Sequence, residues 1–430
     1  MNKQYIQQVW AQMRQQPLMS LITILGTGLS VFLIMLVVML QQVKVAPFSP
    51  ESNRDRFLHV RFMSVTHKDW GKDSSSNGPM SVQTARDCFL SLKTPEAVTM
   101  YVCQPMPSPV SLPGKPASSA DIRETDDVFF RVFDLQFVSG KPFDKATLDA
   151  GIPVAVITES IARVIFGRTD VVGQEFLLSH APYKVCGVVR DVSTLADTAY
   201  GQIWIPFTTG QNGSMTWDDG YMGAMSCTIL AKSRDDFPAI RQEVLRQKAI
   251  ADARMKESGY EFIYRNRPYD QEKQAVNHSA NIEVDPVESR RERFVIFAIL
   301  LLVPAINLSS MTQSRLRQRV SEIGVRRAFG ATRGEVMGQL FAENMIVTLV
   351  AGAFGFLLSV LVAFLCNEFL FTQAYSNTLN PPQLSASILI HFSTFCWALF
   401  FCFLLNFLSS GIPAWRASKV NIVEAINGKK

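Results

Sequence analysis

The stretch "SEIGVRRAFGATRGEV", residues 321–336, joins two long apolar runs and decides how the chain is organised. Glu322 and Arg326 lie four residues apart with the acid first, which is the favourable order for an ion pair on a helix. Gly330 then ends that helix. Thr332 and Glu335 form the T-x-x-E pattern of a capping box, which begins another helix. The pattern predicts helix, break and helix in place of a flexible loop.

Four apolar runs without Asp, Glu, Lys or Arg extend on both sides of this stretch. A helix needs about 20 apolar residues to cross a bilayer, so three of the runs are long enough and the second needs flanking residues to extend it. A buried helix of a soluble domain is the alternative for that second run. The runs predict transmembrane helices at residues 18–40, 294–310, 345–366 and 388–408.

The first run follows Lys3 and Arg14, as the apolar part of a secretory signal would. Its length argues against a signal peptide. Lys44 argues against it too, because this residue stands two places before Ala46, where a cleavage site needs a small residue. We interpret residues 18–40 as an uncleaved anchor.

The distribution of charge orients the spans. Residues 1–17, 311–344 and 409–430 contain more basic than acidic residues, whereas residues 41–293 contain nearly equal numbers. The positive-inside rule therefore places both termini and the 311–344 loop in the cytoplasm, and residues 41–293 and 367–387 outside a cell inner membrane. The net charge of +5 reflects this topology and indicates no nucleic-acid partner. Arginines in the cytoplasmic loop also suit anionic membrane lipid.

The outer segment, residues 41–293, is long enough to fold as a domain with its own core. "PVAVIT" and "YKVCGVV" are apolar, β-branched strand patterns, and "ESIARVIFG" between them predicts a short helix. "MSCTILAK", a helix that opens near Pro238 and stops at Gly259, and a returning strand "YEFIYRN" predict a second subdomain. Residues 70–80 and 111–120 are rich in Ser, Gly and Pro and predict loops. The expected fold class is a four-helix membrane protein with a large α+β extracytoplasmic domain between helices 1 and 2.

Four cysteines lie in the outer domain: Cys88, Cys103, Cys186 and Cys227. None has the C-x-x-C spacing of a metal site. A disulfide between Cys88 and Cys103 is compatible with an oxidising compartment, whereas Cys186 lies in an apolar strand pattern and is interpreted as a packed thiol. The redox state of the four stays open at this point.

Small residues recur every four positions on the third predicted span, at Ala351, Gly355 and Ser359. Such a stripe lets two helices approach closely and predicts a dimer interface, with packing inside one subunit as the alternative. Gly26 and Ser30 offer a similar pair on the first span.

Motifs of several enzyme classes are absent from the sequence. It contains neither the H-E-x-x-H motif of metalloproteases nor the G-x-S-x-G motif of serine hydrolases, and its histidines are isolated from one another. It also lacks the G-x-x-x-x-G-K-[ST] loop that cradles ATP phosphates. We expect no catalytic, cofactor or metal site in this chain, and any ATP and Mg²⁺ to be bound by another subunit.

Several motifs resemble those of one family. "EIGVRRAFGATRGEV" followed by "FAENMIVTLVAGAFGFLLS" resembles the signature of FtsX-like ABC-transporter permeases, and "IPAWRASKVNIVEAI" is similar to the C-terminal tail of that family. "FFRVFDLQFVSGKPF", "VAVITESIARVIFG" and "YKVCGVVRDV" are similar to the MacB-type periplasmic domain with its porter and sabre parts. Residues 41–125 carry no such likeness.

The resemblance implies a four-span permease subunit that works as a homodimer, or with a related permease, beside a separate ABC ATPase. It implies that the 311–344 loop is a coupling helix that docks on this ATPase. It further implies export or efflux of a periplasmic substrate with an adaptor and an outer-membrane duct as possible partners; transmission of force to a cell-wall hydrolase or sensor, and lipoprotein release, are the alternatives. The residues expected to couple to the ATPase are Glu322, Gly324, Arg326, Arg327, Gly330, Ala331, Thr332, Arg333 and Glu335.

Overall fold

The computed structural model describes residues 17–71, 73–277, 279–318, 325, 328–371, 396, 397, 399–401, 403–405, 407 and 408. These residues divide into two compact units. The helical unit comprises the described parts of 1–42, 287–370 and 385–430, and the sheet unit comprises those of 43–286 and 371–384.

Helices in the described residues have the following bounds: α1 Pro17–Val45, α2 Val82–Ala85, α3 Phe129–Val132, α4 Lys145–Asp149, α5 Glu159–Phe166, α6 Phe237–Met255, α7 Gln271–Gln274, α8 Pro286–Gln318, α9 Arg333–Leu365 and α10 Asn367–Phe371.

The strands are β1 Phe57–Val60, β2 Met63–His67, β3 Ser76–Gly78, β4 Ala97–Val102, β5 Met106–Ser111, β6 Ser118–Thr125, β7 Phe137–Gly140, β8 Val154–Thr158, β9 Glu175–Leu178, β10 Ala181–Val189, β11 Ile203–Pro206, β12 Thr216–Trp217, β13 Met222–Gly223, β14 Met225–Leu230, β15 Tyr260–Ile263 and β16 Tyr269–Asp270.

Part of the sheet unit is a closed ring of strands. Strands β11, β8, β10, β9, β5 and β6 pair in that order, and β6 pairs back to β11 in parallel. Closure leaves these strands without a free edge inside the ring. The inward residues alternate along the strands and form an apolar core that includes Ile122, Ile157, Phe176, Val185 and Ile203. β7 pairs with residues 187–189 of β10, beyond the residues of β10 that pair with β9.

A second part of the sheet unit branches from the same strand β6. Tyr101 of β4 pairs with Thr125 at the end of β6, and the order continues through β14, β1 and β16. Helix α6 packs its apolar residues, including Ile240 and Val244, into the core beneath these strands. β6 is therefore shared by the ring and by this arm, and we call it the shared strand.

The predicted strand, helix and strand around "ESIARVIFG" are present as β8, α5 and β10, with β8 and β10 parallel. Thr158 caps α5 and Gly167 ends it at a φ of 73°. The predicted loop 111–120 was too long, because its last residues belong to β6. The predicted loop 70–80 contains the short strand β3. "YEFIYRN" does form a strand, β15, but it pairs with β2 in a separate sheet and does not return to β14.

All four outer cysteines are free thiols, so the Cys88–Cys103 disulfide that the sequence allowed is not formed. Cys88 and Cys227 lie in the apolar core of the arm. Burial raises the pKa of the Cys88 and Cys186 thiols to about 11. These thiols remain protonated at neutral pH and serve as packed apolar groups.

The helical unit packs α1, α8 and α9. Val31, Ile34 and Met35 of α1 contact Leu301 and Ala305 of α8 in one buried cluster, which also includes Phe401 and Leu405. Two segments of the described residues are long and apolar enough to span a membrane, Ile24–Val45 and Asn344–Leu365. The predicted span at 294–310 lies inside the 33-residue α8, which extends it on both sides. The predicted span 388–408 is described only in part, and its described residues are helical.

Candidate functional site

The segment before α9 contains the helix break that the sequence predicted. The backbone N–H of Phe329 donates to the carbonyl oxygen of Val325 at 3.1 Å, which closes a helical turn. Gly330 then adopts a φ of +100°, a backbone conformation that L-residues with a side chain rarely adopt. The glycine therefore ends one turn so that another helix can begin two residues later.

A complete capping box begins α9. The hydroxyl of Thr332 accepts from the backbone N–H of Glu335 at 3.2 Å, and the Glu335 carboxylate accepts from the N–H of Thr332 at 2.8 Å. Hydrogen bonding from Thr332, first its backbone N–H and then its hydroxyl, lowers the pKa of the Glu335 carboxyl below its usual value. The carboxylate also lies at the positive end of the helix dipole. The start of α9 is therefore fixed by residues on its own first turn.

The structure brings together Gly330, Ala331, Thr332, Arg333 and Glu335, five of the predicted coupling residues, in and around this break. Glu322, Gly324, Arg326 and Arg327 lie outside the described residues. We call residues 328–335 the coupling element, after the role that the sequence resemblance implies for this stretch.

Three residues of the coupling element were not predicted from the sequence, Ala328, Phe329 and Gly334, and Phe329 is the one with a large side chain. Its side chain is 88% exposed, and the neighbouring Val325 is 44% exposed. An aromatic ring set between charged and glycine residues was the available signal. The ring therefore leaves an apolar surface that the described residues of this chain do not cover.

Two members of the small-residue stripe of α9, Ala351 and Gly355, pack against α1 of the same chain. Ala351, Gly355 and Ser359 are all buried. A methyl group added to Gly355 would overlap the carbonyl oxygen of Gly28 and lie 3.0 Å from the backbone nitrogen of Phe32. This is packing inside one subunit, the alternative that the sequence left open.

The glycine of α1 at this crossing is Gly28 and not the predicted Gly26. A Cβ on Gly26 would have no atom within 4 Å, whereas one on Gly28 would lie 3.1 Å from the carbonyl oxygen of Ala351. Ser30 donates back to the carbonyl of Gly26 on its own helix at 2.8 Å. Sequence spacing could not distinguish these two glycines, because it does not show which face of the apolar helix α1 packs against α9.

Two family models match the chain. The MacB-like periplasmic core domain matches residues 20–247, more than half of the chain, and the FtsX-like permease C-terminal model matches residues 294–422. The chain is a MacB/FtsX-like ABC transporter permease. The signature resemblance noted in the sequence is confirmed, and the coupling element of the permease lies inside the second match.

Relatives of the permease are about a quarter identical to it over the aligned residues. The uncharacterized ABC transporter permease YknZ of Bacillus subtilis (strain 168) is 23% identical over 309 residues, which cover 72% of this chain and 70% of that protein. The macrolide export ATP-binding/permease protein MacB of Escherichia coli (strain K12) is 24% identical over 305 residues, covering 69% of this chain and 42% of MacB. The permease thus spans less than half the length of MacB.

Solved structures similar to the permease include two soluble regions of such proteins. The periplasmic region of MacB from Actinobacillus actinomycetemcomitans is 16% identical and covers 51% of this chain and 94% of that one, with a TM-score of 0.35. The extracellular domain of YknZ is 12% identical and covers 47% and 99% of the two chains, with a TM-score of 0.33.

Proposed function

We propose that the permease couples ATP hydrolysis by a partner ABC ATPase to motion of the sheet unit outside the membrane. The coupling element docks on the ATPase, and helix α9 carries the displacement across the bilayer. In this proposal the partner holds the ATP phosphates and Mg²⁺.

The observation that carries this proposal is the combination of a rigid break and an exposed anchor. Thr332, Glu335 and Gly330 hold the start of α9, while Phe329 directs an 88% exposed ring away from the permease. A force applied to Phe329 therefore acts on a capped helix of 33 residues, about 50 Å long. Since α9 packs on α1 through Gly355 and Gly28, the displacement also reaches α1.

The proposed topology has four spans, with both termini and the coupling element in the cytoplasm and the sheet unit in the periplasm. The permease works as a homodimer or beside a related permease. Because the face of α9 that bears Ala351 and Gly355 packs on α1, the subunit contacts of the dimer use other residues.

Export or efflux of a periplasmic substrate is the outcome we propose for this motion. Support comes from the similarity to MacB, a macrolide export protein, and from the match of residues 20–247 to the MacB-like periplasmic core domain. A periplasmic adaptor and an outer-membrane duct are the partners that such export requires. Force transmission to a cell-wall hydrolase or a sensor is the competing outcome.

The experiment is a pull-down of the tagged full-length permease from its native membrane, with mass spectrometry of the recovered proteins. It compares wild type with Phe329→Ala and Phe369→Ala. Phe369 is 89% exposed and follows the other end of α9, so it is a matched control for loss of an exposed ring. We expect wild type and Phe369→Ala to recover the same ABC ATPase and Phe329→Ala to recover at least about tenfold less, as for an interface anchor.

Recovery of an adaptor or an outer-membrane duct with the ATPase would support export. Recovery of a cell-wall hydrolase or a sensor kinase would replace export with force transmission. Equal ATPase recovery by the two phenylalanine variants would remove Phe329 from the interface, and recovery of no ATPase by wild type would overturn the coupling proposal.

A further inference from the structure

A buried ion pair lies immediately after α1, in the sheet unit. Glu51 and Arg54 are 1% and 2% exposed, and the Arg54 Nε donates to the Glu51 carboxylate at 2.6 Å. The Arg54 guanidinium also stacks 4.2 Å from the ring centroid of Phe48. Charged side chains are rarely buried to this extent without a specific set of partners.

The guanidinium binds one carbonyl of the last turn of α1 and the carbonyl of the residue that follows the helix. Arg54 Nη1 donates to the carbonyl oxygen of Val43 at 2.7 Å and to that of Ala46 at 3.1 Å. The final turn of any helix leaves such carbonyls without partners inside the helix, and a cation suits the negative end of the helix dipole. The carbonyl between them, on Lys44, accepts from the side-chain amide of Gln271 at 2.8 Å. Arg54 and Gln271 therefore hold the end of α1 from residue 43 onward, which belongs to the same unit as these side chains.

The same ion pair binds a distant loop. Arg54 Nη2 donates to the carbonyl oxygen of Leu195 at 2.9 Å, and the second oxygen of Glu51 accepts from the N–H groups of Thr198 and Ala199, both at 2.9 Å. These partners lie in residues 190–202 between β10 and β11, which we call the linking loop. We call Glu51 and Arg54 with these contacts the clamp.

The linking loop is in turn fixed to the shared strand β6. Arg123 of β6 is 1% exposed, and its Nη2 donates to the carbonyl oxygen of Asp197 at 3.0 Å while its Nε donates to that of Tyr200. The Tyr200 hydroxyl donates to the carboxylate of Asp121, also on β6, at 2.7 Å. One short, buried series of hydrogen bonds therefore connects the last turn of α1 to the strand that the ring and the arm share.

We propose that the clamp is the joint through which displacement of α1 reaches the shared strand. Glu51 and Arg54 are positioning residues in this role, and the inference rests on the ATP-driven motion proposed above. Arginine suits the joint because its planar fork serves a carboxylate and three carbonyls at once, whereas the single ammonium of lysine cannot.

Arg56 provides a matched control two residues away. Its guanidinium is only partly buried and pairs with Glu96 at 3.0 Å. It also donates to the carbonyl oxygens of Ala231 and Lys232 and to the side chain of Asn53, and these partners belong to neither α1 nor the linking loop. Arg56→Lys therefore changes the same chemistry without touching the clamp.

The test is hydrogen exchange, read by mass spectrometry, of wild type, Arg54→Lys and Arg56→Lys. The full-length permease is placed in lipid nanodiscs, alone and with the ATPase from the pull-down, with and without a non-hydrolysable ATP analogue. Without ATPase, we expect Arg54→Lys to speed exchange at residues 195–199 and 43–46 together by about tenfold, the scale of one lost charged hydrogen bond. Arg56→Lys should leave both segments unchanged.

With ATPase and the analogue, wild type and Arg56→Lys should change exchange at 333–340 and at β6. Arg54→Lys should keep the change at 333–340 and lose at least half of the change at β6. If Arg54→Lys yields no folded protein, Glu51→Gln, which keeps the shape and one acceptor, is read in the same way.

A full response of β6 in the clamp variant would overturn the inference, as would faster exchange in the linking loop without faster exchange at the end of α1. Loss of the response at 333–340 in wild type is a different failure, because it overturns the proposed function and the joint falls with it.

Discussion

Glu335 and Glu51 each bond to a residue three positions away in the chain, Thr332 and Arg54, yet the two pairs lie in different surroundings. The Thr332–Glu335 pair is exposed, and both of its hydrogen bonds stay within the first turn of α9. The Glu51–Arg54 pair is buried and bonds to backbone atoms as far away as Ala199. Equal spacing in sequence therefore serves a local purpose in one case and a tertiary purpose in the other.

Burial explains the difference. An exposed cap replaces hydrogen bonds that water would otherwise supply, so its net contribution is modest. Water does not reach a buried ion pair, so removing one partner leaves the other charge buried without compensation. Substitutions in the exposed cap of the coupling element should therefore reduce stability less than substitutions in the clamp.

Breaking the tertiary pair should have the largest effect on stability. Arg54→Ala leaves the Glu51 carboxylate and the α1 carbonyls buried without their cation, and should destabilise the sheet unit by about 3–5 kcal/mol. Denaturant unfolding of the full-length permease in detergent measures this. Arg56→Ala removes a partly exposed pair and should cost about 1 kcal/mol or less; equal losses in the two variants would contradict the distinction between the pairs.

The contact between Gly355 and Gly28 offers a tertiary interaction without any side chain. Gly355→Ala places a methyl group against the backbone of α1, which cannot move aside as a flexible side chain could, and should destabilise the helical unit by about 1–3 kcal/mol. Gly338→Ala, on the same helix with no atom within 4 Å, should be neutral or stabilising by up to about 1 kcal/mol. Thermal unfolding in detergent compares the two variants. An unchanged unfolding temperature in Gly355→Ala would show that α9 and α1 do not pack closely at this position.

A buried histidine sharpens the comparison through pH. His59 is 2% exposed, and its Nε2 lies 2.8 Å from the Gln271 side-chain oxygen. Burial lowers its pKa below the ordinary 6.5, although Gln271, Glu51 and Asp197 act in the opposite direction; Arg54 acts with burial. In the unfolded chain the imidazole takes up a proton below its ordinary pKa while the folded one does not, so this stability is present above pH 6.5 and is lost as the pH falls.

The expected loss is up to about 1.4 kcal/mol for each pH unit below 6.5, until the folded imidazole is itself protonated. Unfolding of wild type, His59→Gln and His180→Gln between pH 7.5 and pH 5.5, about one unit on each side of the ordinary pKa, tests this. His180 is exposed, so His180→Gln should retain the wild-type slope while His59→Gln flattens it. An unchanged slope in His59→Gln would show that other groups set the acid response.

The local pair should give the smallest effect. Thr332→Ala removes the cap of α9 and should cost about 1 kcal/mol, which corresponds to about fivefold faster amide exchange over residues 333–336. Thr332→Ser keeps the hydroxyl and should behave as wild type. A large, global loss of stability in Thr332→Ala would mean that this cap is not local.

Elements governed by neighbouring residues could be read from the sequence. The Thr332–Glu335 box, the stop at Gly330 and the short helix between β8 and β10 depend on residues within one or two turns, so their patterns predicted them. The long uncharged runs likewise predicted α1, α8 and α9, because the apolar solvent of a membrane requires that composition along the whole segment.

Elements governed by distant residues could not be read in this way. The free thiols, the use of Gly28 in place of Gly26, and the placement of β15 in a separate sheet all depend on which segments meet in space. The exposure of Phe329 is of the same kind, since an aromatic residue is buried or exposed according to what packs over it.

Sequence alone determined the class of this permease, its apolar helices and the capped break of its coupling element, because each rests on composition or on contacts a few residues apart. Only the tertiary structure decided that Glu51 and Arg54 join the end of α1 to a loop nearly 150 residues away. The physical reason is that a buried charge must be hydrogen-bonded by the groups around it. Here those groups are backbone atoms of segments that the chain brings together only when it folds.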